Sequence, residues 1–207
     1  LKLVLDVANL GPDYLLAHAH ADTLSFELSV NTQRIIVNSG TSCYGSGARR
    51  GFERSTRAHN TVEIDDCSSS EVWSTFRVAR RAYPFELKIN NSESFLSVKC
   101  SHNGYTRLTG SPIHTRSWIV GQEKIIIKDK ITGDFRSAVA RFILHAGVMI
   151  DKRDEQTFTL TAPNDIKLTL SVVSGIPNVV AWENTNEFGC LIDTYCIEIS
   201  LVNGKSL

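Results

Sequence analysis

The sequence is short of the features that would commit it to a membrane, a nucleic acid or a disulfide scaffold. Its 22 basic and 22 acidic side chains cancel to a net charge of zero. That gives no support to general nucleic-acid or anionic-membrane binding, which rests on a positive field. The densest basic cluster is local: Arg49, Arg50, Arg54 and Arg57. No apolar run approaches the length of a membrane span, and no signal peptide is visible. The five cysteines, Cys43, Cys67, Cys100, Cys190 and Cys196, are odd in number and include no C-x-x-C pair, so most are expected to be free. Met149 is the only methionine, and the chain opens Leu-Lys-Leu-Val-Leu. It is expected to be a piece of a longer protein. No stretch longer than about two turns keeps a helical apolar period.

What the sequence does have is alternation. Leu1 to Val7 reads as a short strand, and Thr23 to Val30 and Gln33 to Val37 as a hairpin across Asn31-Thr32. Residues 39 to 57, rich in Gly, Ser and Arg, read as a long loop of the kind that is usually functional or disordered. Further strands are expected at 60–65, 85–89, 95–100, 113–120, 124–131, 138–145, 157–161, 166–173 and 195–202, with turn residues between them. Strands at this spacing predict an all-β fold, a large antiparallel β-sandwich with little or no helix, forming one domain over 1–207. Trp73, Phe76, Trp118, Phe142 and Trp182 are expected in the core rather than as sugar platforms. His102, His114 and His145 are expected to be structural or on the surface.

The chemistry concentrates between Leu15 and His59. His18, His20 and Asp22 fall two residues apart, and Leu24, Phe26, Leu28 and Val30 continue that step. On a regular strand all of them share one face. A polar group at the end of an apolar row must be hydrogen-bonded, bound to metal or open to a cleft. His20, Asn38 and His59 are candidate zinc ligands, with Asn38 the weak member because a neutral amide oxygen binds zinc less well than a carboxylate. The residue types leave open the alternative that His20 and His59 bond backbone at the sandwich edge. His18 and Tyr44 are candidates for proton transfer near neutral pH. Arg54 is a candidate for holding an anionic group through paired hydrogen bonds. Cys43 lies inside this candidate site.

Three blocks, HAHADTLSFELSVNTQRIIVNSGTSCYG, RSTRAHNTVEIDD and SEVWSTFRVARRA, resemble the C-terminal β-sandwich of the heparinase II/III-like polysaccharide lyases. The resemblance implies a longer parent with an N-terminal (α/α) toroid. It implies β-elimination of uronic-acid polysaccharide and a periplasmic or extracellular setting. By the same resemblance His18 matches a catalytic-cleft histidine, Tyr44 a tyrosine of the cleft loop, and His20 and His59 two zinc ligands. The family's third ligand is an aspartate where this chain has Asn38, in Val37-Asn38-Ser39-Gly40-Thr41. The family's principal catalytic asparagine and tyrosine belong to the toroid, so this chain alone is expected to be inactive. The rival expectation is a non-catalytic carbohydrate-binding or envelope-polysaccharide assembly domain with a decayed site.

Overall fold

The computed structural model describes residues 1–201 of the chain. In chain order the strands begin with β1 (Lys2–Leu5), β2 (Phe26–Val30) and β3 (Gln33–Ile36). There follow α1 (Ala48–Arg54) and a 3-10 turn at Thr56–Ala58. Then come β4 (Val62–Ile64), β5 (Val72–Trp73), β6 (Arg77–Val78), β7 (Pro84–Asn91), β8 (Leu96–His102), β9 (Ile113–Val120) and β10 (Ile125–Thr132). The last six are β11 (Ala138–Ile143), β12 (Met149–Lys152), β13 (Thr157–Thr161), β14 (Lys167–Ser171), β15 (Ile176–Asn184) and β16 (Ile192–Ser200). The part of the expected last strand at Val202 lies outside the described residues.

Every strand pairing is antiparallel. The sheets run β1-β2-β3, β10-β9-β8-β7, β15-β16-β11-β4 and β12-β13-β14, with β5-β6 as a separate hairpin. The four larger sheets contribute to one core that includes Phe26, Ile35, Val62, Trp118, Ala140, Phe142, Leu160 and Ile197. Alternation explains the facing. In β9, for example, His114, Arg116 and Trp118 point inward while their neighbours are half-exposed. The chain is thus the antiparallel β-sandwich expected from its strand spacing.

Local departures have physical causes. Residues 39 to 57 are not all loop, since α1 occupies the last part. Its buried side chains are Arg50, Glu53 and Arg54, and Gly47 gives it no side-chain cap, so neither apolar periodicity nor capping announced it. The two-residue row from His18 is also interrupted. Ser25 N–H bonds Asp22 O at 2.8 Å and Leu24 takes φ +64°, so β2 starts only at Phe26. Leu24, Phe26 and Leu28 are nevertheless all buried. β15 has no clear strand signal in the sequence because it carries Pro177 and Asn178, which an edge strand tolerates, and it lies at the edge beside β16. Trp118 and Phe142 are core residues as expected, but Trp73 and Phe76 are 51% and 43% exposed. They sit on the β5–β6 hairpin, which pairs with no other strand among the described residues.

One junction positions the site. Val37 N–H bonds Ile143 O at 2.9 Å and His145 N–H bonds Ile35 O at 3.0 Å. The end of β3 therefore runs onto the end of β11, which itself pairs with β4. Asn38, just past β3, and His59 and Asn60, just before β4, are brought together there.

Candidate functional site

His59 is buried, and its Nδ1 lies 2.7 Å from Ser55 O. A carbonyl only accepts, so Nδ1 carries the proton and Nε2 is left as an acceptor. His20 Nδ1 stands 3.1 Å from that Nε2 and must therefore donate to it. His20 Nε2 in turn accepts from Arg50 Nη1 at 3.3 Å. The chain Arg50, His20, His59, Ser55 O is thus internally satisfied with both imidazoles neutral. Burial, then the neighbouring His59, Arg50, Arg54 and His18, push His20 down to about 3. Burial pushes His59 down to about 4, against a smaller opposing pull from Ser55 O and Glu27.

Asn38 is committed elsewhere. Its Oδ1 accepts from Asn60 N–H at 2.9 Å and from Asn60 Nδ2 at 3.3 Å, and its own N–H donates to Glu27 Oε1 at 3.2 Å. As a zinc site the donor set does not fit. Two imidazoles converge, but the third position offers an amide oxygen already occupied, and a guanidinium stands against His20. Among the described residues no group of three His, Cys, Asp or Glu side chains is arranged to hold a metal ion.

Arg54 lies deeper than expected for a group meant to meet a ligand directly. It is fully buried, with Nε on Ala19 O at 3.0 Å and Nη1 on Ser74 O at 3.1 Å and Trp73 O at 3.4 Å. Its bonds tie the histidine loop to the β5–β6 turn. Arg50 does similar work through Thr75 O at 3.4 Å. Among the described residues neither guanidinium has a carboxylate within ion-pair distance. The desolvated Arg54, beside Arg50, is pushed below its usual value.

His18 and Tyr44 meet on the outer rim. Their ring centroids are 5.5 Å apart, edge to face, and both are exposed. Phe76 joins them at 5.7 Å from His18 and 5.8 Å from Tyr44, and Phe188 lies 5.1 Å from Tyr44. Arg50 packs against the Tyr44 ring, 5.2 Å from its centroid. The rim is therefore aromatic outside and cationic beneath. Cys43, next to Tyr44, is free and half-buried.

Residues 1–190 match the family model described as heparinase II/III-like, C-terminal. The chain belongs to that family. No curated protein sequence matches it. Among solved structures, this heparinase II/III-like chain is similar to a heparan sulfate lyase HepC mutant from Pedobacter heparinus, with TM-score 0.75 and 16% identity over 99% of this chain and 31% of that one. It is also similar to a heparinase III gene product, with TM-score 0.73 and 17% identity over 91% of this chain and 29% of that one. At such identities the likeness is one of fold. The chain spans less than a third of these solved relatives.

The sequence placed His18, His20, Tyr44, Asn38 and His59 in one region, and the fold brings His20 to His59 and His18 to Tyr44. It did not single out Asn60, whose side chain also bonds Phe26 O at 3.0 Å and Ile143 N–H at 2.6 Å. The only available signal was an Asn beside His59 ahead of a strand. Nor did it single out Phe188, more than a hundred residues away, whose place follows from strand pairing.

A second polar network braces the site from within. Gly104 N–H donates to His102 Nδ1, which fixes His102 Nε2 as the donor to His114 Nδ1 at 3.2 Å. His114 Nε2 then donates to Asp129 at 2.7 Å. Asp129 also takes Arg116 Nε at 2.7 Å and Nη2 at 2.9 Å. Arg116 Nη1 reaches Leu24 O at 3.0 Å and Asn60 O at 2.5 Å. His102 and His114 are structural, and this pairing with Arg116 and His114 holds the Asp129 carboxyl well below the usual carboxylate range.

Proposed function

We propose that this chain is the sandwich portion of a polysaccharide lyase acting on uronic-acid polysaccharide, with His18 and Tyr44 at the cleft. The observation that carries the reading is the His18–Tyr44 contact on an exposed rim backed by Arg50. A proton-transfer pair must be reachable by substrate and held in mutual register, and these two rings satisfy both needs. In the reaction, a base removes the C5 proton of the uronate. The electron pair forms the C4–C5 double bond, and the C4 glycosidic oxygen departs and takes up a proton. The Arg50 and Arg54 charges favour the carboxylate as negative charge builds. Arg54 acts from below the surface, through field and position rather than by contact.

The remaining members of the machinery belong, on this reading, to an N-terminal toroid in a longer chain. The setting is then periplasmic or extracellular, where acidic polysaccharide is met. Among the described residues no helix is long and apolar enough to cross a membrane. Asn38 favours a second reading, a carbohydrate-binding domain whose lyase site has decayed, because the amide gives up the negative charge a bound cation needs. Zinc is proposed only for a chain with a carboxylate at position 38. The deciding experiment incubates the full-length parent with alginate and heparan sulfate and follows absorbance of the unsaturated product. Turnover supports the lyase. Binding without turnover supports the decayed site.

A further inference from the structure

Beyond the His18–Tyr44 pair, the β5–β6 hairpin carries chemistry that neither the core nor the histidine chain uses. Trp73 and Arg77 face each other across its ladder, and the Arg77 guanidinium lies 4.9 Å from the indole centroid. Both are exposed. Nearby acids are already taken: Glu71 by Arg80 and Arg107, and Asp13 by Arg81. Among the described residues Arg77 has no carboxylate within ion-pair distance. The hairpin tip is held in place from below. Arg54 bonds the Trp73 and Ser74 carbonyls, and Arg50 bonds that of Thr75. Phe76, on the same turn, touches both His18 and Tyr44. A fixed hairpin thus extends the aromatic rim with exposed rings and one uncommitted guanidinium.

We propose that Trp73, Phe76 and Arg77 form a saccharide subsite for a sugar residue bearing a carboxylate or sulfate. The proposal rests on the acidic-polysaccharide reading above and adds residues to it. An exposed ring offers a pyranose its apolar C–H face, and a guanidinium offers an anionic oxygen pair two parallel N–H donors. The indole holds that guanidinium by cation–π attraction, which fixes its direction before the sugar arrives.

The test is calorimetric titration of the 207-residue chain with alginate, dextran sulfate and neutral dextran, beside Trp73→Ala and Arg77→Met. Circular dichroism checks the fold of each variant. The expected result is binding to at least one charged polymer, with alginate reporting carboxylate recognition and dextran sulfate reporting sulfate. Dextran should bind far more weakly. Trp73→Ala should weaken binding about tenfold, and Arg77→Met about fivefold. Ligand should also quench tryptophan fluorescence in the unmodified chain, and the quenching should vanish in Trp73→Phe. If both variants bind as the unmodified chain does, the subsite is overturned while the proposed function stands. Equal affinity for dextran also overturns it, because the anion then has no role. If the unmodified chain binds neither charged polymer, the subsite is overturned, while turnover by the full-length parent separately decides the acidic-polysaccharide reading.

Discussion

Asn60 donates both its backbone N–H and its side-chain amide to Asn38 Oδ1, at 2.9 and 3.3 Å. These two asparagines join the end of β3 to the start of β4. Asn60 also takes Ile143 N–H at 2.6 Å, so a single fully buried amide holds three strands in register. Asn60→Ala strands the Ile143 N–H and the Phe26 carbonyl without water. The expected cost is about 3 kcal/mol, since each orphaned buried group costs about 1–3 kcal/mol. Urea unfolding measures it, and a loss under about 0.5 kcal/mol, the scale of an ordinary surface substitution, would show that the junction is not held this way.

Asn38→Asp should create zinc affinity. The carboxylate adds the negative charge that the pair His20 Nδ1 and His59 Nε2, which stand 3.1 Å apart, lacks as a cation site. Titration calorimetry should show tighter binding than in the unmodified chain, and Asn38→Asp with His59→Ala should lose the gain. Tight zinc binding by the unmodified chain would sink the idea that position 38 decides.

The pH dependence contains two opposed contributions. Burial, then the nearby Asp22, pushes Asp6 from 3.8 up to about 7. Burial pushes Asp22 up to about 6. Their folded values lie above the unfolded ones, so the stability they contribute is full below pH 3.8 and is lost as pH rises through 6 to 7. Asp6→Asn is therefore expected to stabilise the chain at pH 8, by up to a few kcal/mol on a scale of about 1.4 kcal/mol per pKa unit, and to change little at pH 4. Urea midpoints at the two pH values check this, and equal effects at both would contradict it.

The histidines act the other way. His20 and His59, lowered from 6.5 to about 3 and about 4, are neutral in the fold and gain protons only on unfolding. His102 and His114 are lowered too, by burial first. Their stability is full above pH 6.5 and is lost as pH falls through the folded values. His59→Gln should flatten the decline in stability between pH 6.5 and 4, read from urea midpoints across that window. An unchanged slope would mean that His59 does not stay neutral.

On the lyase reading, His18→Ala and Tyr44→Phe should each lower turnover of a full-length parent by about a hundredfold or more, the usual scale for a proton-transfer group. Melting temperature should hardly move, because both side chains are exposed. Unaltered turnover in both would remove these residues from the chemistry.

The sandwich was legible because its strands obey a two-residue rule and its turns carry Asn, Asp and Gly. The Asn31-Thr32 hairpin closes with Val30 opposite Gln33, as its loop length requires. His20 and His59 were both singled out in the sequence, and the fold brings their rings to 3.1 Å although the strands that follow them, β2 and β4, lie in different sheets. Arg54, the candidate for holding an anionic group, lies deeper than sequence position could tell, because carbonyls from Ala19, Trp73 and Ser74 surround it. Trp73 and Phe76 were misread in the opposite sense, since no local signal tells an aromatic whether a second layer will cover it.

Helix α1 buries charges instead of hydrocarbon, and this sets how the site breathes. Its seven residues gain little from water expulsion, so its hold depends on Glu53 receiving Ser42 and Arg49, and on the Arg50 and Arg54 carbonyl bonds. Water competes for each of those bonds once the loop lifts. The segment is therefore expected to open more readily than the sheets, which hydrogen exchange would show as earlier exchange of its amides than of those of β9 or β16. On the lyase reading, a polymer chain would meet a face held by polar bonds beside the sheets, and it could be accommodated there without any strand leaving its neighbour.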